Sequence, residues 1–142
     1  MKTLALANGD LVIAAHGHQT ISGAPKIRQD LALALGEPLG NDRFHRLWGS
    51  TLPAYIGQPI SDTTQAEIQA EAQRVINQYI SVHDEYIVAD QQVGGRSRFG
   101  TADVVSEVTA ISVSQDFDTI RVGVSLRTLA GTTITVNRTV TA

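Results

Sequence analysis

Apolar residues recur along this chain with two different periods, and the change from one to the other divides it into parts. From Ser22 to Gly36 the period is helical. Pro25 suits a first turn, Ile27, Leu31, Ala34 and Leu35 share one face, and Gly36 supplies the stop. Residues 51–56 are expected to form a further short helical turn closed by Gly57 and Pro59. Asp62-Thr63-Thr64-Gln65 then reads as a capping box that opens a long helix. On that helix Ile68, Ala72, Val75, Ile76 and Tyr79 make one stripe, with Glu67, Glu71, Arg74 and Gln78 on the opposite, solvated side.

At either end the period shortens. Apolar runs over 3–7 and 11–15 flank Asn8-Gly9, two residues that tolerate positive φ, and this predicts a small N-terminal hairpin. Beyond a loop at Gln91-Gln92-Val93-Gly94-Gly95, valine, isoleucine, threonine and serine predominate and predict strands over 102–114, 119–128 and 132–141. In the middle strand Ile120, Val122, Val124 and Leu126 face one way and Arg121, Gly123, Ser125 and Arg127 the other, so one face packs and one is wet. Turns at Gln115-Asp116-Phe117-Asp118 and Leu129-Ala130-Gly131 make the three a meander. The expected class is α+β: an N-terminal hairpin, central helices including one long amphipathic helix, and a C-terminal antiparallel β-meander.

Length and charge narrow the picture. A chain of 142 residues is one ordinary domain, able to bury roughly 68–70% of its unfolded surface. It has no cysteine, which excludes disulfides and thiolate chemistry and fits assembly in a reducing cytoplasm. A net charge of −3 argues against nucleic acid as the main partner. No stretch reaches the ~18 apolar residues of a membrane span, and Asn8-Gly9-Asp10 interrupts the first apolar run before a signal core is complete, so the protein is expected to be soluble.

Candidate chemistry is sparse. His16 and His18 are spaced as on one face of a strand, but no third metal ligand is marked, and solvated histidines are the expectation. The chain has no Gly-x-Ser-x-Gly elbow, phosphate loop or His-Glu-x-x-His, and nothing in it calls for a cofactor. Glu37 stands out because it follows a helix stop and precedes Pro38, which fixes the local backbone. Paired with Asp42 it could serve a glycosidase as general acid, although no aromatic platform lies between them. Arg43, His45 and Arg46 surround Phe44 beside Trp48, a mixture that anchors protein interfaces; the alternative is that the aromatics fill the core and the arginines are solvated. The terminal run Thr133, Ile134, Thr135, Val136, Asn137, Arg138, Thr139 and Val140 is β-prone, free of proline and charged only at Arg138. It is either an interior strand or an unguarded edge that invites a partner strand.

Several short segments carry a resemblance. Lys26-Ile27-Arg28-Gln29-Asp30-Leu31, Leu35-Gly36-Glu37-Pro38, Leu47-Trp48-Gly49-Ser50-Thr51-Leu52 and Gln58-Pro59 resemble, in order and spacing, the baseplate wedge proteins of contractile phage tails. This is the small sheath-initiator family, once labelled lysozyme-like, with relatives in type VI secretion systems and other contractile injection machines. The match covers about residues 27–79. It implies an α+β domain around the tail tube, one copy per wedge and six around the axis, in a virion baseplate assembled in the host cytoplasm. The implied partners are the wedge proteins, the tail sheath protein and the tube.

In that family a Glu-Pro-Arg motif contacts the helical core bundle of the wedge. Glu37 and Pro38 match it, whereas Leu39 stands where arginine is expected, so Arg43 or Arg46 is expected to supply the cation. Glu37 then acts as a fixed acceptor for a partner rather than as an acid, and the protein is expected not to be an enzyme. The C-terminal strands are expected to start sheath polymerisation, with residues 133–140 donated as a strand to the sheath. Removal of residues 132–142 is accordingly expected to leave a folded domain that no longer seeds sheath.

Overall fold

The computed structural model describes residues 1–94 and 96–141, so that Gly95 of the expected loop and the terminal Ala142 lie outside the described residues. The α+β expectation holds, with two helices, short N-terminal strands and a C-terminal three-stranded sheet. The helix α1 spans Ala24–Gly36 and α2 spans Asp62–Gln92, joined through a short 3-10 turn at Leu52–Tyr55. The meander is β7 (Val105–Gln115), β8 (Thr119–Thr128) and β9 (Thr133–Thr141), antiparallel throughout in the order β7-β8-β9.

The N-terminus departs from the single expected hairpin. Asn8 and Gly9 do take positive φ and join β2 (Leu6–Ala7) to β3 (Asp10–Leu11), as a primed turn requires. The chain then makes a second ribbon, β4 (Ile13–Ala14) with β5 (Gly17–His18), and a third in which β6 (Thr20–Ile21) returns to β1 (Thr3–Leu4). The three ribbons meet in a ring of backbone bonds: Ala5 N–H to Gln19 O at 2.8 Å, Gln19 N–H to Val12 O at 2.9 Å, and Val12 N–H to Ala5 O at 3.0 Å. Gln29 of α1 holds the ring down, accepting from Leu6 N–H and donating to Leu4 O, both at 2.8 Å. Two-residue strands carry too little alternation for a sequence pattern to reveal them.

One core lies between the helices and the sheet. The α2 stripe read from the sequence is buried as expected, as are Ile27, Leu31 and Leu35 of α1 and Ile120, Val122, Val124 and Leu126 of β8. The helix α1 lies against β9 and α2 against β7. β9 contributes Ile134, Val136 and Val140 to the core, each such burial stabilising by roughly 1.5–3 kcal/mol. The last strand is therefore not a detachable arm, and removal of residues 132–142 would open the core rather than leave a folded domain.

Two end signals also differ. The cap of α2 is Ser61, one residue earlier than the expected box, because its Oγ accepts from Thr64 N–H at 3.1 Å; Asp62 falls in the first turn, where the helix dipole favours a negative charge. Gly36 is not a left-handed stop. It is the last residue of α1, with Glu37 extended after it, and a Cβ at Gly36 would overlap the guanidinium of Arg138. The glycine leaves room for the end of a side chain from β9.

Candidate functional site

Two of the sequence segments that stood apart meet at the end of α1. Glu37 N–H closes the helix on Leu33 O at 2.8 Å, and the chain then runs beside 49–50: Ser50 N–H donates to Glu37 O at 2.8 Å and Leu39 N–H to Ser50 O at 2.9 Å. The buried Ser50 hydroxyl donates to Leu35 O at 2.7 Å. Gly49 makes this approach possible, with φ of 101° and a position where a Cβ would lie 2.6 Å from Glu37 O. Glu37 and Pro38 thus form a fixed corner, with Pro38 and Leu39 exposed and the Glu37 carboxylate accepting from Asn41 at 2.5 Å.

The corner is clamped from α2 by residues assigned above to the solvated side. Arg74 grips Glu71 with two bonds, at 2.8 and 2.7 Å, and donates to Gly49 O at 2.8 Å; Glu71 also accepts from Thr51 N–H at 2.7 Å. Burial pushes the Glu71 carboxyl up, but the Arg74 guanidinium and the Thr51 amide outweigh it and hold it below the usual carboxylate range. Spacing on a helix cannot tell a polar side that faces water from one that faces another segment, and this is why the clamp was missed.

From the corner the loop folds back over α2. Asp42 caps it, accepting from Phe44 N–H at 2.8 Å and from His45 N–H at 3.3 Å, with its other oxygen 3.1 Å from His45 Nδ1. The Phe44 amide and the His45 ring keep the Asp42 carboxyl below its ordinary value, so it is spent on the turn. Trp48 packs at the margin of the core, while Phe44, 92% exposed, and Leu47, 75% exposed, do not fill it. Together with Arg46, Trp48 and the ridge Gln78, Val82 and Tyr86 of α2 they bound a cleft of about 490 Å³. Arg43 and Arg46 are exposed, and neither makes an ion pair among the described residues. His16 and His18 stand exposed on the second ribbon.

Past Trp48 and Tyr86 a smaller hollow of about 290 Å³ leads to a polar cluster. Lys26 is buried and paired with Asp30, which also accepts from the Tyr79 hydroxyl at 3.3 Å. Burial raises the Tyr79 phenol far above its normal range. His83 lies 4.2 Å from the Tyr79 ring and 5.3 Å from the Phe99 ring between ring centres, and its Nδ1 is buried without a partner. Burial first, then Lys26, lowers the His83 pKa, against the opposing pull of Asp30, Asp103 and Asp84. A histidine depressed in the folded state binds its proton more readily unfolded, so its contribution to stability is complete above about 6.5 and fades as pH falls below that. Thermal melts from pH 7.5 to 5.0 are expected to show the wild type losing stability, and His83→Gln is expected to flatten that slope.

From β9, Arg138 reaches the end of α1 and lies over Gly36. β9 is an edge. It pairs with β8 in unbroken register, and among the described residues no strand pairs with its far rim. The other edge, β7, carries two register shifts, a device that spoils pairing with a further strand; β9 has none. Its outward side chains, Thr133, Thr135, Asn137 and Thr139, are uncharged, and Arg138 points inward. Among the described residues only Thr135 O on that rim is occupied, accepting from Arg28 Nε at 3.2 Å.

No family model matches the chain, and no curated protein sequence matches it. A search of solved structures finds the crystal structure of a proposed tail lysozyme from Geobacter sulfurreducens, with a TM-score of 0.56 over 85% of this chain and 93% of that one. Only 13% of the aligned residues are identical, and what the two chains share is the fold.

Proposed function

We propose that the chain is a baseplate component of a contractile tail that joins the wedge to the sheath and starts sheath polymerisation. The observation that carries this reading is the β9 edge: nine residues long, unbulged, without an outward charge, and attached to a rigid core. Natural monomers seldom leave such an edge open unless another strand completes it. Because β9 belongs to the core, it acts as a template that receives a strand. Glu37 and Pro38 form the second attachment, directed at the helical core bundle of the wedge, with the unpaired Arg43 and Arg46 supplying the cation that Leu39 lacks. The likeness to a proposed tail lysozyme supports placement in a virion tail. The wedge proteins, the sheath protein and the tube as neighbours, and six copies around the axis, follow instead from the resemblance carried by the segments between Lys26 and Pro59.

Electron micrographs of a producer lacking this chain are expected to show tubes without sheaths, and sheaths should return with the wild-type chain. Sheathed tails in its absence would refute the assignment.

The description of the similar structure favours a second reading, a peptidoglycan hydrolase with Glu37 as general acid. Purified protein added to a cell-wall suspension is expected to leave its turbidity unchanged, as is Glu37→Gln. Clearing by the wild type and none by the variant would establish the hydrolase instead.

A further inference from the structure

The groove beside β9 holds a chemistry that strand reception does not by itself require. It encloses about 870 Å³ between β9, α1 and the first ribbon, and its lining includes two arginines, Arg28 and Arg138, and no carboxylate. Arg28 occupies a rim carbonyl, Thr135 O. Arg138 enters from the inner face of β9 and lies over Gly36, with its Nε buried and without an acceptor. The end of α1 attracts this cation, since the last turn of the helix has no basic residue of its own. It offers few acceptors, however, because Leu33 O is taken by Glu37 N–H and Leu35 O by the Ser50 hydroxyl.

We propose that the segment received by β9 carries an aspartate or glutamate whose carboxylate enters this groove between Arg28 and Arg138. The inference rests on β9 acting as a receiving strand and specifies what it receives. An incoming strand must place an amide on Thr135 O, which displaces Arg28 and leaves its guanidinium beside the new strand. The inward side chain of that strand nearest Arg138 stands at cross-strand contact distance. A carboxylate there meets the Arg138 guanidinium that lines the groove and the displaced Arg28 together. An apolar or basic residue would seal Arg138 without an acceptor, so the site selects against such strands as well as for acidic ones.

The test uses the ¹⁵N-labelled chain and three blocked peptides, Thr-Val-Glu-Val-Thr and its counterparts with central glutamine or lysine, followed by NMR. Backbone amides of Thr133, Thr135, Asn137 and Thr139 report strand addition, and the Nε–H signals of Arg28 and Arg138 report the carboxylate. The glutamate peptide is expected to move both sets and to bind about tenfold tighter than the glutamine peptide, with lysine weakest. Arg138→Gln, checked for an intact spectrum, should bring the glutamate and glutamine peptides within about twofold of each other. Equal binding of those two peptides to the wild type would overturn the inference while leaving strand reception standing. Movement of the arginine signals alone would leave the carboxylate site standing and overturn strand reception. No response from either set would overturn both.

Discussion

Thr135→Pro is expected to abolish sheath seeding while the domain stays folded. Along an antiparallel edge, the N–H and C=O of one residue point to the same side. The Thr135 carbonyl bonds Arg28 on the open rim, so its N–H faces that rim too and takes no part in the ladder to β8. Proline there removes a donor that only an incoming strand would use, in a position where edge strands tolerate it. The cost to the fold is the change of φ from the strand value, roughly 1 kcal/mol. Val136→Pro is the contrasting variant: the neighbouring residue points into the core and toward β8, and it should not fold. Tails from a producer supplied only with Thr135→Pro should be unsheathed in micrographs, with the purified variant melting within a few degrees of wild type. Full-length sheaths on those tails would show that β9 is not where the sheath begins.

Gly49→Ala is expected to be the most destabilising single methyl group that can be added to the corner. At φ of 101° an alanine is strained, and its Cβ would meet the Glu37 carbonyl at 2.6 Å, a backbone atom that cannot swing aside. Relief requires 49–50 to part from Glu37 and Pro38, which breaks the pairing through Ser50 and pulls Gly49 O away from Arg74. We expect a loss of roughly 3–5 kcal/mol, or about 10–15 °C in melting temperature, read by differential scanning calorimetry. A loss below about 1 kcal/mol would mean that the corner is not a rigid platform.

The parts of this fold that were legible in the sequence are those where one period runs for several turns. The α2 stripe of Ile68, Ala72, Val75, Ile76 and Tyr79, and the alternation from Ile120 to Leu126, are packing demands repeated often enough to stand out. The ribbons were not legible, because strands of two residues repeat nothing. Glu71 and Arg74 looked solvated since the pattern records polarity and not what lies opposite it. Phe44 illustrates the reverse, an aromatic in a polar loop that stays outside the core.

For the candidate site, the sequence marked Glu37, Pro38 and the terminal strand but left open which of the three strands would stand outermost. Order within a sheet depends on how the helices cover it, and no local pattern encodes that. Arg138 is the sharpest case. In the sequence it is the lone charge of the last strand; in space it is an inward-facing cation that lies over the glycine at 36.

The ring that joins Ala5, Val12 and Gln19 is made wholly of main-chain atoms, with six residues looping out between each successive pair. Side chains on the loops, apart from Asn8, Gly9 and Gly17 with their positive φ, can therefore drift with little penalty, whereas gaining or losing one residue in a loop must be absorbed within a two-residue ribbon and its turn if the ring is to close. The N-terminus of this protein is constrained in length more tightly than in composition, and relatives that keep the ring would align there without gaps even where no letter agrees.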